Sequence, residues 1–239
     1  MHREPFLELE YPTKNEKILT DTYRLVCYWL MTTKPVITKQ PEITREAILD
    51  AAFQEIYRYG FQSASLTNIL ERTGLTKGAL YHHFPDKHAL GLAVVDEVIR
   101  VRLGGMIFQP LRESNKPLAT LLAILHAKRD NAGILIELGC PLNNLMQEMS
   151  PLDETFRARL NAIMTTWQET ITDALQRAQR QSEVREDVDC RATALFIVSA
   201  WEGCIGIAKN MQSERTYRTC MEQLVAYVQA LAPSALRSS

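Results

Sequence analysis

Residues 65–90, SLTNILERTGLTKGALYHHFPDKHAL, hold the side chains whose types and spacing can do chemistry. Thr67 and Thr76 fall at the starts of two short helical stretches. There a hydroxyl and unpaired backbone N–H groups can hold a phosphate. Lys77 is the cation best placed for a base edge or a phosphate, and Gly78 lets backbone approach backbone. His82, His83 and His88, with Glu97 downstream, also permit a metal reading. Adjacent histidines on a helix point about 100° apart, however, and no H-x-x-x-H pair completes a ligand set. No G-x-S-x-G, P-loop or dinucleotide glycine motif is present. Neither catalysis nor a metal or cofactor is therefore expected. Recognition of nucleic acid remains, with a helical protein–protein adaptor as the rival from another class.

The elements that must position these groups can be read in order. Ser65 caps a short helix with Leu66, Ile69 and Leu70 on one apolar face, and Gly74 ends it where a left-handed backbone is needed. Leu75 plugs the turn, Thr76 caps KGALYHHF, and Pro85 stops that second helix. Asp86 caps the next helix, with Leu90, Val94, Val98 and Val101 at helical spacing. Upstream, Thr44 caps REAILDAAFQEIYRYG, with Ile48, Ala52, Ile56 and Tyr59 on one face and Gly60 as the stop. Leu80 and Phe84 read as core. This is the layout of a helix-turn-helix, whose second helix enters the DNA major groove.

Residues 44–90 resemble the TetR family of bacterial transcriptional repressors. The resemblance rests on the combination of G-F, S-L-T, T-G-L-T-K-G-A-L-Y-H-H-F and P-D-K. Leu70 and Thr73 depart from the family pattern, which has small residues there, and imply a slightly wider helix pair. The resemblance implies that Tyr81, His82 and Lys87 position the phosphate backbone and that Arg45 reaches toward DNA from the first helix. It further implies a homodimer on a palindromic double-stranded operator, released when a small-molecule effector binds. Charge supports this only weakly: residues 41–90 carry five Lys/Arg against six Asp/Glu, a net of −1. The acids fall mainly in or near the first helix, and the Lys77–Lys87 edge holds only the capping Asp86.

The rest of the 239-residue chain reads as all-α. Residues 1–41 are expected to be an N-terminal extension, 42–102 the DNA-binding domain, and 103–239 a helical body for ligand binding and dimerisation. Pro5, Pro12 and Pro35 interrupt the extension, and Met31 begins a more ordinary start for this family, so translation is expected to begin there, the alternative being a disordered or loosely docked arm. No signal peptide and no unbroken apolar stretch approaching a membrane span is expected. Five cysteines without a C-x-x-C pair imply reduced thiols and a cytoplasmic location.

In the body, Pro110 and Pro117 mark a connection, LATLLAILHAKRD one helix, and Gly139, Pro141 and Pro151 bracket a short one. A long amphipathic helix follows from Asp153 to about Gln181, then one opened by Asp189 that is apolar on more than one face, then a last helix carrying Tyr217 to Leu231. The pair at 153–181 and 189–211 is expected to form a four-helix dimer interface. Candidate effector residues are Phe108, His126, Cys140, Asn144, Trp167 and Trp201; ordinary core packing is the competing role for each apolar one. Cys140 precedes a helix N-terminus, where the dipole favours a thiolate. Resemblance to regulators that respond to electrophiles or oxidants makes it a candidate sensor, against the usual role of a free cysteine as a small buried hydrophobe.

Overall fold

A computed structural model describes residues 41–233, which are helical with no strand among them. The expected N-terminal extension and the Met31 start lie outside the described residues. Helix α1, Pro41–Tyr59, starts earlier than the Thr44 cap implies, because proline at a first helical position loses no hydrogen bond. Ile48, Ala52 and Ile56 are buried along it. Tyr59, expected on the same face, is 54% exposed as the last residue of the helix.

Helices α2 (Leu66–Thr73) and α3 (Lys77–His83) follow. Gly74 ends α2 at φ 68°, and its N–H donates to Leu70 O at 2.8 Å. The departure at Thr73 is absorbed locally. Its side chain is buried, with the hydroxyl donating to Ile69 O at 3.0 Å on its own helix.

Helix α4 runs continuously over residues 87–113 and contains two π-helical segments, Val94–Ile99 and Gly104–Phe108. Each π turn inserts extra backbone and rotates the residues after it. The buried stripe therefore passes from Leu90 and Val94 through Ile99 to Leu103 and Ile107, leaving Val101 62% exposed where helical spacing had placed it in the core. The second π turn also explains why Pro110 does not end the helix. Gln109 N–H bonds five residues back to Gly104 O, and the chain stays helical to Glu113.

The body comprises α5 (Pro117–Asp130), α6 (Ile134–Leu138), α7 (Pro141–Met149), α8 (Glu154–Arg180), α9 (Cys190–Met211) and α10 (Glu214–Gln229). Asp153, Asp189 and Ser213 cap α8, α9 and α10 through their side chains. Helix α8 buries Phe156, Leu160, Ile163, Trp167 and Ile171 against α5 and α9, and the Trp167 and Trp201 rings meet edge to face at 5.2 Å. Each such side chain contributes about 1.5–3 kcal/mol by leaving water.

The expectation of reduced thiols is corrected here. Cys204 and Cys220 form a disulfide between α9 and α10, their Cα atoms 5.5 Å apart, while Cys140 and Cys190 are free. A separation of 16 residues across an antiparallel helix pair leaves no C-x-x-C signature. Helix α9 meets the length and composition of a membrane-crossing helix, but half of that window is buried inside the fold, as in the core helix of a folded domain, and Arg191, Glu202 and Lys209 interrupt its apolar run.

Candidate nucleic-acid interface

Helix α3 is fixed from beneath and open above. Leu80 is fully buried and Phe84 is 2% exposed, while Thr76, Lys77, Gly78, Tyr81 and His82 are exposed. A seven-residue helix is too short to persist alone, so these two anchors hold it against α1. Thr76 Oγ1 accepts from Ala79 N at 3.2 Å, which leaves other N–H groups of the first turn facing outward. Lys77 Nζ lies 5.8 Å from the centroid of the Tyr81 ring, so a cation and a phenol share one exposed edge. Thr67, the second residue of α2, is exposed as well.

Arg45 and Lys87 stand differently. Both oxygens of Glu97 hold the Arg45 guanidinium, one at 2.7 Å from Nη2, and the guanidinium lies over the Phe84 ring at 5.0 Å. The bidentate hydrogen bonds push Arg45 up and hold the Glu97 carboxyl below its ordinary range. Lys87 donates to Gln62 O at 2.9 Å and lies over Phe61. Each cation is thereby tied to a neighbouring element of the same chain.

Three of the six acids counted against DNA binding are occupied within the fold. Glu55 is 1% exposed and accepts from Ser65 N at 3.2 Å and from Asn68 Nδ2 at 2.8 Å, bracing the start of α2. Asp50 pairs with Arg102 at 3.2 Å, and Asp86 accepts from Ala89 N at 2.7 Å as the cap of α4. None of these three roles is visible in a charge count.

Polar contacts join this head to the body. Glu148 on α7 accepts from Phe61 N and Gln62 N, each at 2.8 Å, in the turn that leads into α2. His88 Nε2 lies 2.9 Å from Asp153 Oδ2, and Tyr57 donates to Gly139 O at 2.6 Å. A side chain at Gly60, whose φ is +81°, would collide with the Glu148 carboxylate. The sequence carries no local signal for Glu148 or Tyr57, because their partners lie more than 80 residues away.

The six candidate effector residues do not converge. Phe108, Trp167 and Trp201 are buried core and His126 is half-buried on α5. Asn144 alone of the six faces a cavity of about 630 Å³ between α1, α7 and α9. Cys140 is buried at the start of α7, and burial pushes its thiol well above the ordinary value, reinforced by the nearby Glu202 carboxylate. That overturns the expected thiolate: desolvation outweighs the helix N-terminus.

Glu202, 8% exposed, has no hydrogen-bond partner on either oxygen. Burial raises its carboxyl to about 7 from 4.5, against smaller opposing effects of Cys140, Lys128 and Asn143. The fold therefore favours the protonated form. That stability is fully present below about pH 4.5 and is lost as pH rises toward 7. Glu202→Gln removes the titration and is expected to raise the melting temperature by roughly 5–10 °C above pH 7, with little change near pH 4.5. Thermal melts at both ends of that range check this, and an equal effect at both would contradict it.

Comparisons with known proteins agree with the geometry. Residues 48–94 match the family described as "Bacterial regulatory proteins, tetR family", and residues 117–224 match "Tetracyclin repressor-like, C-terminal domain". The transcriptional regulator AcuR of Cereibacter sphaeroides is 31% identical over 194 residues, 80% of this chain and 88% of that protein. The HTH-type transcriptional repressor DhaR of a Mycobacterium species is 24% identical over 197 residues, 80% of this chain and 93% of that protein. A crystal structure of a TetR transcriptional regulator from Chloroflexus aurantiacus superposes with a TM-score of 0.72 at 26% identity, covering 80% of this chain and 96% of that one. With its outward-facing second helix, its helical body and relatives matched along most of their length, the chain belongs to the TetR family of transcriptional regulators.

Proposed function

We propose that this regulator is an effector-released repressor that holds a palindromic operator as a homodimer. The observation that carries the reading is the presentation of α3: Leu80 and Phe84 locked into the core, Lys77, Tyr81 and His82 facing solvent. In this reading residues 42–102 form the DNA-binding head and 103–239 the body, and the protein acts in the cytoplasm. Lys77 and Gly78 approach the groove, while Thr67, Thr76, Tyr81 and His82 hold phosphates. Arg45 and Lys87 act by positioning: one clamps α1 to α4, the other fixes the turn at Gln62.

The homodimer is supported by an unpartnered face. Leu195, Phe196, Ile207 and Met211 on α9, with Tyr227 on α10, are 37–59% exposed. Gly203 and Gly206 lie among them, and a Cβ at either would meet no atom within 4 Å. Within one chain these glycines serve no packing need; between two chains they let helices approach closely. The apolar stripe of α8, expected to share this face, points inward instead. The proposed seam therefore runs along α9 and α10.

Selection from random duplexes, followed by a salt titration, tests the proposal. The expected product is an inverted repeat with half-sites one helical turn apart. Affinity should fall roughly 10²–10³-fold between 50 and 200 mM salt, as for about four to six phosphate contacts per dimer. Recovery of no duplex, or an affinity indifferent to salt, would count against it.

A further inference from the structure

We propose that the cavity between α1, α7 and α9 is an effector site for a small organic anion with an apolar body, a short- or medium-chain carboxylate. The proposal rests on the effector-released reading above and names the ligand class and the route of release. Three observations carry it. First, the cavity of about 630 Å³ has the size of a small-molecule site, and Phe53, Val94 and Leu145 give it apolar walls. Second, the half-buried Lys209 ammonium on its wall donates to the neutral amide oxygen of Asn144 at 3.1 Å, and no salt bridge among the described residues includes it. Arg58 adds a second cation at the rim, 3.5 Å from Glu137. A half-buried ammonium with only an amide for a partner gains most from an anion.

Third, the walls are the parts that couple head to body. Glu148 lines the cavity with the carboxylate that holds Phe61 N and Gln62 N. Val94 and Ile99, which also line it, are the two ends of the first π-helical segment in α4. A carboxylate seated on Lys209 places negative charge beside Glu148 and weakens its hold on the turn that leads into α2. The π segment is an adjustable register in the helix that carries the head, and its ends touch the same ligand. Insertion of an anion thus favours a head position other than the one described, which is the differential interaction that release requires.

The test uses the full chain and a panel of hexanoate, octanoate and benzoate with their neutral primary amides. Calorimetry without DNA and operator binding without ligand are measured separately, so a failure of the regulator reading and a failure of this site are distinguishable. At least one carboxylate is expected to bind once per protomer and its amide at least about 30-fold more weakly. Lys209→Met should lose that binding, while Lys209→Arg, which keeps the charge, should retain it. The bound carboxylate should weaken operator binding roughly 5- to 150-fold, and Glu148→Gln should shrink that ratio. The proposal is overturned if amides bind as well as acids, if Lys209→Met binds normally, or if no carboxylate binds at millimolar concentration. It is equally overturned if a carboxylate binds without changing operator affinity.

Discussion

Replacing Lys77 and Tyr81 together by alanine is expected to weaken operator binding by about 100-fold or more, with a melting temperature within about 2 °C of the parent. Each contact of this kind, to a base edge or a phosphate, is worth roughly 1–3 kcal/mol. A symmetric dimer loses each contact twice. Both side chains are exposed and share one edge of α3, so their removal takes nothing from the core. Because they lie against each other, the double change should differ from the sum of the singles. Anisotropy titration of a labelled operator, with a thermal melt alongside, checks both halves. Unchanged affinity would place the reading surface elsewhere. A large drop in melting temperature would mean that α3 is a structural element.

The second large effect concerns the seam. Ile207→Glu puts a charge on the middle of the exposed α9 face, where Ile207 is 55% exposed and Gly203 and Gly206 leave room for a partner helix. In a close-packed interface a lone carboxylate is costly. The variant is expected to sediment as a folded monomer at micromolar concentration. Its operator affinity should fall by roughly 10²–10⁴-fold, because the second head no longer benefits from the first being bound. A variant that remains dimeric with full affinity would move the seam away from α9 and α10.

Why the head was legible in the sequence and the body less so follows from the range of the interactions. Ser65, Gly74, Thr76, Pro85 and Asp86 act on backbone groups within four residues, and each ends or starts a helix where its chemistry says it should. Leu80 and Phe84 were legible as core for the same local reason. In α4 the periodicity misled at Val101, because two π turns change the number of residues per turn and no residue type announces them.

The cavity between α1, α7 and α9 was illegible for a different reason. Tyr57, Glu148 and Lys209 belong to three separate helices, and nothing in the neighbourhood of any one marks it. Apolarity drew attention to Trp167 and Trp201, which instead pack against each other at the centre of the body. Cys140 shows how two local rules compete: its place before α7 favours a thiolate, yet full burial beside Glu202 decides the outcome the other way. A net charge of −1 likewise says nothing of arrangement: Glu55, Asp50 and Asp86 are each occupied within the fold, as Arg45 is by Glu97 and Arg58 by Glu137.

Methylation interference on a selected operator tests the central claim most directly, because it reports which groove each recognition helix occupies. Methyl groups at guanine N7 lie in the major groove, and those at adenine N3 in the minor groove. Two clusters of N7 interference, their centres about 34–36 Å apart on one face of the duplex, are the expected result. Interference confined to adenine N3, or a single cluster without a symmetry mate, would contradict a pair of α3 helices seated in successive major grooves.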